Sequence, residues 1–279
     1  MTDTANYPVL GFIGGGNMAQ AIIGGLVNQG YPAQQIWVAD PTQQQLDKLA
    51  EQWPINTTTD NSRVAGESEV LMLAVKPQVM KVVAEALRET LAASPALVIS
   101  IAAGIPVASL ERWLGAETAL VRCMPNTPAL VMTGASGLYA NAQVSQTQRQ
   151  QAEQMMAAIG IAQWVEREEL IDAVIAVSGS GPAYYFMMME AMVEAGIKQG
   201  LSREVSTELT LQTALGAAKM AQASDVDPAE LRRRVCSPNG TTERAVQRFQ
   251  QGGLPELVEQ AMDDCADRAR EMALELGQD

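Results

Sequence analysis

Three consecutive glycines, Gly14-Gly15-Gly16, run into Asn17-Met18-Ala19 and satisfy the spacing G-x-G-x-x-A. The chemistry this spacing suits is the holding of a pyrophosphate. Gly14 permits a tight turn, Gly16 lets a phosphate approach the backbone, and Ala19 lets the following helix lie close to the preceding strand. The free N–H groups of the helix start, at Asn17 and Met18, then face the anion. Asp40 stands where the second strand should end, at the place where a carboxylate would meet an adenosine ribose. There it would accept hydrogen bonds from the hydroxyls of NADH and repel the 2′-phosphate of NADPH. Asp40-Pro41 also reads as a plain turn. The chain has no Lys or Arg before Lys48, so no cationic clamp for a 2′-phosphate is evident nearby.

The rest of the composition narrows the chemistry. There is no histidine, which removes the usual base of hydroxyacid dehydrogenases and the commonest metal ligand. Cys123, Cys236 and Cys265 have no paired spacing, so neither a disulfide framework nor a zinc site is implied. The net charge of −13 argues against nucleic acid and against acidic membranes as partners. An anionic substrate would need a locally positive pocket. The segment Ser237-Pro238-Asn239-Gly240-Thr241-Thr242 offers one: Pro238 bends the chain, Gly240 frees the backbone, and a helix starts with unsatisfied N–H groups. Ser237 and Thr241 read equally as ordinary caps of that helix.

These residues need elements to position them. Val9–Ile13, Ile36–Ala39, Val70–Val75, Leu97–Ile101 and Leu120–Cys123 read as buried strands. Between the first two, Met18, Ala21, Ile22, Gly25 and Leu26 form a helical stripe. The alternation predicts an α/β fold, with a Rossmann-type parallel-sheet domain over residues 1–166. From residue 167 to 279 the strand-like runs stop and an all-α domain is expected. Its helices are placed at Glu168–Val177, Ala183–Lys198, Ser202–Ala223, Pro228–Val235, Thr241–Gln251 and Leu254–Leu276. The second is apolar nearly all round, through Tyr184-Tyr185-Phe186-Met187-Met188-Met189, which predicts burial against a second copy of the chain. No apolar run is long enough to span a bilayer. Met1–Asn6 lacks the features of a secretory leader, so a cytoplasmic protein is expected.

Further segments carry a resemblance. They are Ala74-Val75-Lys76-Pro77, Met124-Pro125-Asn126-Thr127-Pro128, Ser178-Gly179-Ser180-Gly181-Pro182-Ala183-Tyr184 and Cys236-Ser237-Pro238-Asn239-Gly240-Thr241-Thr242. In this order and spacing, from about Val9 to the last helix, the chain resembles pyrroline-5-carboxylate reductases. The resemblance implies reduction of the cyclic imine 1-pyrroline-5-carboxylate to L-proline with NADPH or NADH, and a C-terminal dimerisation domain. It also implies a homodimer and a larger ring of dimers such as a decamer. A protonated C=N bond is already electrophilic, so this chemistry suits a protein without histidine.

Site residues carried by the resemblance follow. Asn61, Ala74, Val75, Lys76 and Pro77 join Gly14–Met18 and Asp40 as cofactor contacts. Ala102, Ala103 and Gly104, after the fourth strand, lie where the nicotinamide half would rest. Glu168 matches a substrate-side position. Ser237, Asn239, Gly240, Thr241 and Thr242 form the substrate-carboxylate loop, with the Thr242 hydroxyl near the ring nitrogen. The family usually has two glycines after the proline of this loop, and here Asn239 replaces the first. Asn accepts a left-handed backbone better than most side chains. The alternatives left standing are another imine reductase or a β-hydroxyacid dehydrogenase on the same scaffold, and a non-catalytic dinucleotide sensor. The hydroxyacid enzymes rely on a Lys on the long helix, and here none occurs before Lys198.

Overall fold

The computed structural model describes residues 7–277; Met1–Asn6, read above for a leader, lie outside them. Eight strands form one sheet: β1 (Leu10–Ile13), β2 (Ile36–Ala39), β3 (Asn56–Thr58), β4 (Val70–Leu73), β5 (Leu97–Ser100), β6 (Leu120–Met124), β7 (Gly134–Ala140) and β8 (Gly160–Trp164). Their order is β3-β2-β1-β4-β5-β6-β7-β8. The first six run parallel, and β7 is antiparallel to β6. The five strands expected from the sequence are β1, β2, β4, β5 and β6. They read clearly because both faces are covered, which demands continuous Val, Ile and Leu. Alternate side chains enter two cores. Leu10, Phe12, Val38, Met72 and Ile99 lie in one, and Ile13, Leu71, Leu73, Val98 and Leu120 in the other.

Six helices connect the strands: α1 (Asn17–Asn28), α2 (Gln43–Gln52), α3 (Asn61–Glu67), α4 (Pro77–Ala93), α5 (Val107–Leu114) and α6 (Gln146–Ala157). Strand order reverses between β1 and β4, so the crevice beyond the C-terminal ends of these strands is the binding edge of such a sheet. The phosphate turn lies at that edge, between β1 and α1.

The chain divides into two compact units, one comprising residues up to Ser180 together with those from Asp264, the other Gly181–Asp263. The cut lies later than the expected 166/167, and the packing shows why. α7 (Leu170–Val174) has only five residues, runs into a π turn at Ile175–Gly179, and cannot make a core of its own. Ile171 and Ile175 are buried with Ala269, and Met124, Tyr139 and Val165 pack against them. Gly137 of β7 leaves the room: a Cβ there would stand 2.6 Å from the Val174 methyls.

The second unit contains α8 (Gly181–Lys198), α9 (Arg203–Gln222), α10 (Pro228–Val235), α11 (Thr241–Gln251) and the start of α12 (Leu254–Leu276). The starts are set by local chemistry. Ser202 accepts the Val205 N–H, and Asp227 accepts the Glu230 N–H with Pro228 at the first helical position. α8 and α9 pack as a pair. The Ser206 hydroxyl donates to the Val193 carbonyl at 2.9 Å, and Gly196 makes space for it. The sequence predicts burial against a second copy, and within one chain α8 is left largely uncovered. Tyr185, Phe186 and Met187 are each more than 60% exposed.

Candidate functional site

The phosphate turn is braced by four hydrogen bonds from outside itself. Gly14 N–H donates to the Ala39 carbonyl at 2.7 Å, and Gly15 N–H to Asp40 Oδ2 at 2.9 Å. The Gly15 carbonyl accepts from Gln20 Nε2 at 3.2 Å and Gln45 Nε2 at 2.6 Å. Gly14 has φ +100°, and a Cβ there would meet the Ala74 carbonyl oxygen at 2.7 Å, so β1 and β4 exit side by side only because it is glycine. A Cβ on Gly16, by contrast, would meet nothing within 4 Å. Gly16 is the N-cap of α1, which has no side-chain cap. The first-turn N–H groups of Asn17 and Met18 therefore open onto free space, and this is the donor set a pyrophosphate requires.

The other expected cofactor residues lie along the same edge. Ala74 and Val75 follow β4. Lys76 is the N-cap of α4, with Pro77 at its first position; Lys76 is exposed and Ala74, Val75 and Pro77 are half-buried. Asn61 opens α3 beyond β3, where Asp60 caps the helix by accepting from Ser62 and Arg63 N–H. Ala102, Ala103 and Gly104 lie in the loop from β5 to α5; Ala102 and Gly104 are buried. Asp40 faces inward as well as onward: its Oδ1 accepts the Thr42 N–H at 2.9 Å while Oδ2 holds Gly15. Asn126 is buried and bridges two segments, donating to the Ser178 carbonyl and accepting the Ala135 N–H, both at 2.9 Å.

Glu168 accepts two protein donors on a single oxygen, Oε1: Val107 N–H at 2.8 Å and Arg122 Nη1 at 2.9 Å. The sequence reading missed Arg122, Gln20 and Gln45. An Arg inside an apolar strand, Leu120-Val121-Arg122-Cys123, is itself the signal that could have found the first, because a buried guanidinium needs a carboxylate.

The carboxylate loop belongs to the second unit. Asn239 adopts the left-handed conformation, φ +59°, so it takes the backbone role expected of a glycine there. Gly240 is the N-cap of α11 and no side chain caps the helix, which overturns the reading of Ser237 and Thr241 as caps. Gly240 N–H donates to the Ser237 carbonyl at 2.9 Å, closing the turn. Asn239 N–H donates to Glu243 Oε2 at 2.8 Å. The first-turn N–H groups of Thr241 and Thr242 remain for an anion; Thr241 is exposed and Thr242 half-buried. The structure thus gathers the cofactor residues on one sheet edge of the first unit and Ser237 with Asn239–Thr242 in one loop of the second, whereas Glu168, the remaining substrate-side residue, lies in the first unit.

Residues 168–272 match the family described as pyrroline-5-carboxylate reductase dimerisation, and residues 9–104 that described as NADP oxidoreductase, coenzyme F420-dependent. A pyrroline-5-carboxylate reductase of Pseudomonas aeruginosa is 56% identical, over 97% of this chain and 99% of its own length. The chain belongs to the pyrroline-5-carboxylate reductase family. Among solved structures, that of the Coxiella burnetii reductase aligns with TM-score 0.93 at 43% identity, covering 96% of this chain and 99% of that one. The Plasmodium falciparum enzyme, solved with NADP bound, aligns with TM-score 0.84 at 29% identity, covering 95% and 98%. The fold class expected from the sequence, a Rossmann-type sheet domain followed by helices of the dimerisation family, is therefore that of the family. Among the described residues no helix is long and apolar enough to cross a membrane, and the three cysteines are free.

Proposed function

We propose that this chain reduces 1-pyrroline-5-carboxylate to L-proline with NADPH or NADH. The observation that carries the reading is the 56% identity to a pyrroline-5-carboxylate reductase over nearly the whole of both chains. When bound, the reduced nicotinamide supplies a hydride to the imine carbon. The chain's own residues hold and orient. Gly16, Asn17 and Met18 take the pyrophosphate, Asp40 and Asn61 lie on the adenosine side, and Ala74–Pro77 line the turn after β4. Ala102–Gly104 face the nicotinamide. Thr241 and Thr242 N–H groups take the substrate carboxylate, and the Thr242 hydroxyl supports the ring nitrogen. That nitrogen arrives protonated, so the amine of the product already carries its proton and no strong side-chain acid is needed. Proximity and orientation do most of the work.

The same reading assigns the sheet domain to cofactor binding and the helical domain to substrate binding and dimerisation, with the division between them after Ser180 rather than at 166/167. It makes the protein a cytoplasmic homodimer and, at the next level, a ring of dimers such as a decamer. The test is oxidation of NADPH, and of NADH, by the purified chain with the cyclic imine acid. Turnover that requires the imine supports the reading. Oxidation of a β-hydroxyacid by NAD or NADP instead, or cofactor binding with no turnover, would replace it with one of the rival activities.

A further inference from the structure

Arg122 is a buried cation in the middle of the sheet, with its side chain 5% exposed. It stands directly opposite Ser100, the last residue of β5, in the β5–β6 register. From Ser100 the chain enters the loop Ile101–Pro106 and leaves it at Val107, the first residue of α5. Both ends of this loop are held. At its start, Ser100 Oγ accepts the Ala102 N–H at 3.4 Å. At its end, Glu168 Oε1 accepts the Val107 N–H and the Arg122 guanidinium together. α5 has no cap from its own start, where the N-cap is Pro106, so Glu168 satisfies one of the orphan donors from a distant segment. In the middle, Gly104 has φ +74°, and a Cβ there would stand 3.1 Å from Met272 Cβ and 3.2 Å from Leu276 Cδ1.

We infer that the Arg122–Glu168 pair is a positioning device that fixes the loop Ile101–Pro106 against the nicotinamide end of the cofactor. This rests on the reading above that Ala102–Gly104 face the nicotinamide. Buried ion pairs are poor stabilisers, since apolar residues of equal volume avoid the desolvation of two charges. What this pair adds is geometry. One carboxylate oxygen with two donors fixes the first turn of α5 relative to β6, and the six-residue loop between has its outer side closed by α12. Glu168 thus acts on the cofactor through the loop.

The experiment compares the binding of NADPH with that of 2′-phospho-ADP-ribose, which lacks the nicotinamide, by calorimetry. The proteins are the full-length wild type, Glu168→Gln and Gly104→Ala. Gln keeps the length but brings an amide without charge to Arg122. Glu168→Gln should weaken NADPH by about tenfold, the scale of one charge-assisted hydrogen bond, and leave 2′-phospho-ADP-ribose unchanged. The turnover number should fall as well. Gly104→Ala, strained at positive φ, should show the same selective loss. If Glu168→Gln weakens both ligands alike or neither, while Gly104→Ala is selective, the positioning role is overturned and the assignment of the loop stands. If Gly104→Ala also leaves NADPH binding unchanged, the assignment of the loop falls and the inference falls with it. Should Glu168→Gln fail to give folded protein by circular dichroism, Glu168→Asp replaces it. Asp keeps the charge but is too short for both donors, and the same outcomes decide.

Discussion

Asp40 holds two backbone N–H groups, and this splits its influence on the cofactor into two parts. One oxygen anchors Gly15 of the phosphate turn and the other Thr42. The bond to Gly15 supports either cofactor, because both carry the pyrophosphate. The negative charge itself disfavours a 2′-phosphate, which brings roughly two further charges close to it. Asp40→Ser should therefore weaken NADH, which loses a charge-assisted acceptor worth about 1.5–3 kcal/mol. NADPH should be affected less, since the lost brace is offset by the lost repulsion. The check is kcat/KM for both cofactors in wild type and variant; an unchanged ratio would mean that Asp40 only braces the turn. Thr242 makes a different kind of contribution. If its hydroxyl supports the ring nitrogen, Thr242→Ala should lower turnover by roughly one to two orders of magnitude. Cofactor affinity measured by fluorescence should not change, and Thr242→Ser should recover most of the rate. Full activity in the alanine variant would remove the hydroxyl from the mechanism.

Elements carry the next level of constraint, and two of their links are open to test. Asn126 ties the turn after β6 to the π turn at Ser178 and to Ala135 at the start of β7. Asn126→Ala leaves two backbone groups without their partner and should cost about 1–3 kcal/mol in denaturant unfolding. A cost near zero would mean that water replaces the amide. Asp172 on α7 gives a pH signature. Burial raises its pKa above the ordinary 3.8, against the opposing pull of Arg122 and Arg270. A carboxyl raised in the folded state binds its proton more tightly there than in the unfolded chain. Folding is then favoured as pH falls through the raised value toward 3.8, and above it the charged form costs stability. The stability of wild type relative to Asp172→Asn should increase between about pH 7 and about pH 4; a difference that stays flat or declines would contradict the burial. Much of this level was legible in the sequence. The strands β1, β2, β4, β5 and β6 announce themselves by apolar runs, and α10, α11 and α12 begin and end where their Pro, Gly and apolar stripes say. The strands β3, β7 and β8 do not. Asn56-Thr57-Thr58 is polar and lies at the sheet edge, while Gly134-Ala135-Ser136-Gly137 is too small-sided to look like a strand. Such strands are specified by their neighbours, which no local pattern records. Gln20 and Gln45 escaped notice for a related reason, since both bond to the Gly15 carbonyl, whereas Arg122 was marked by its place in an apolar strand and only its partner Glu168 was out of local reach.

At the scale of the whole molecule, the question is what covers α8 and α9. Along α8, Tyr185 is 70% and Phe186 63% exposed, and Leu209, Leu211, Leu215 and Met220 of α9 are exposed as well. A monomer seldom shows so many large apolar side chains on two adjacent helices. The net charge of −13 keeps copies apart at long range, so association must come from short-range apolar burial, and the all-round apolar run Tyr184–Met189 supplies it. The dimerisation family matched at residues 168–272 covers this region. The expectation is an obligate homodimer in which these helices meet their copies. Phe186→Glu would bring a carboxylate into the contact. Burying it unpaired would cost several kcal/mol, which a second copy could avoid only by separating. Sedimentation velocity at micromolar concentration should give a dimer or larger species for wild type and a slower one for Phe186→Glu, with activity falling in step. The effect should deepen on dilution, because mass action favours the separated chains. A Phe186→Glu protein that sediments as wild type would move the contact off this face of α8. A wild-type chain that is monomeric and fully active would show that the exposed helices serve neither assembly nor catalysis.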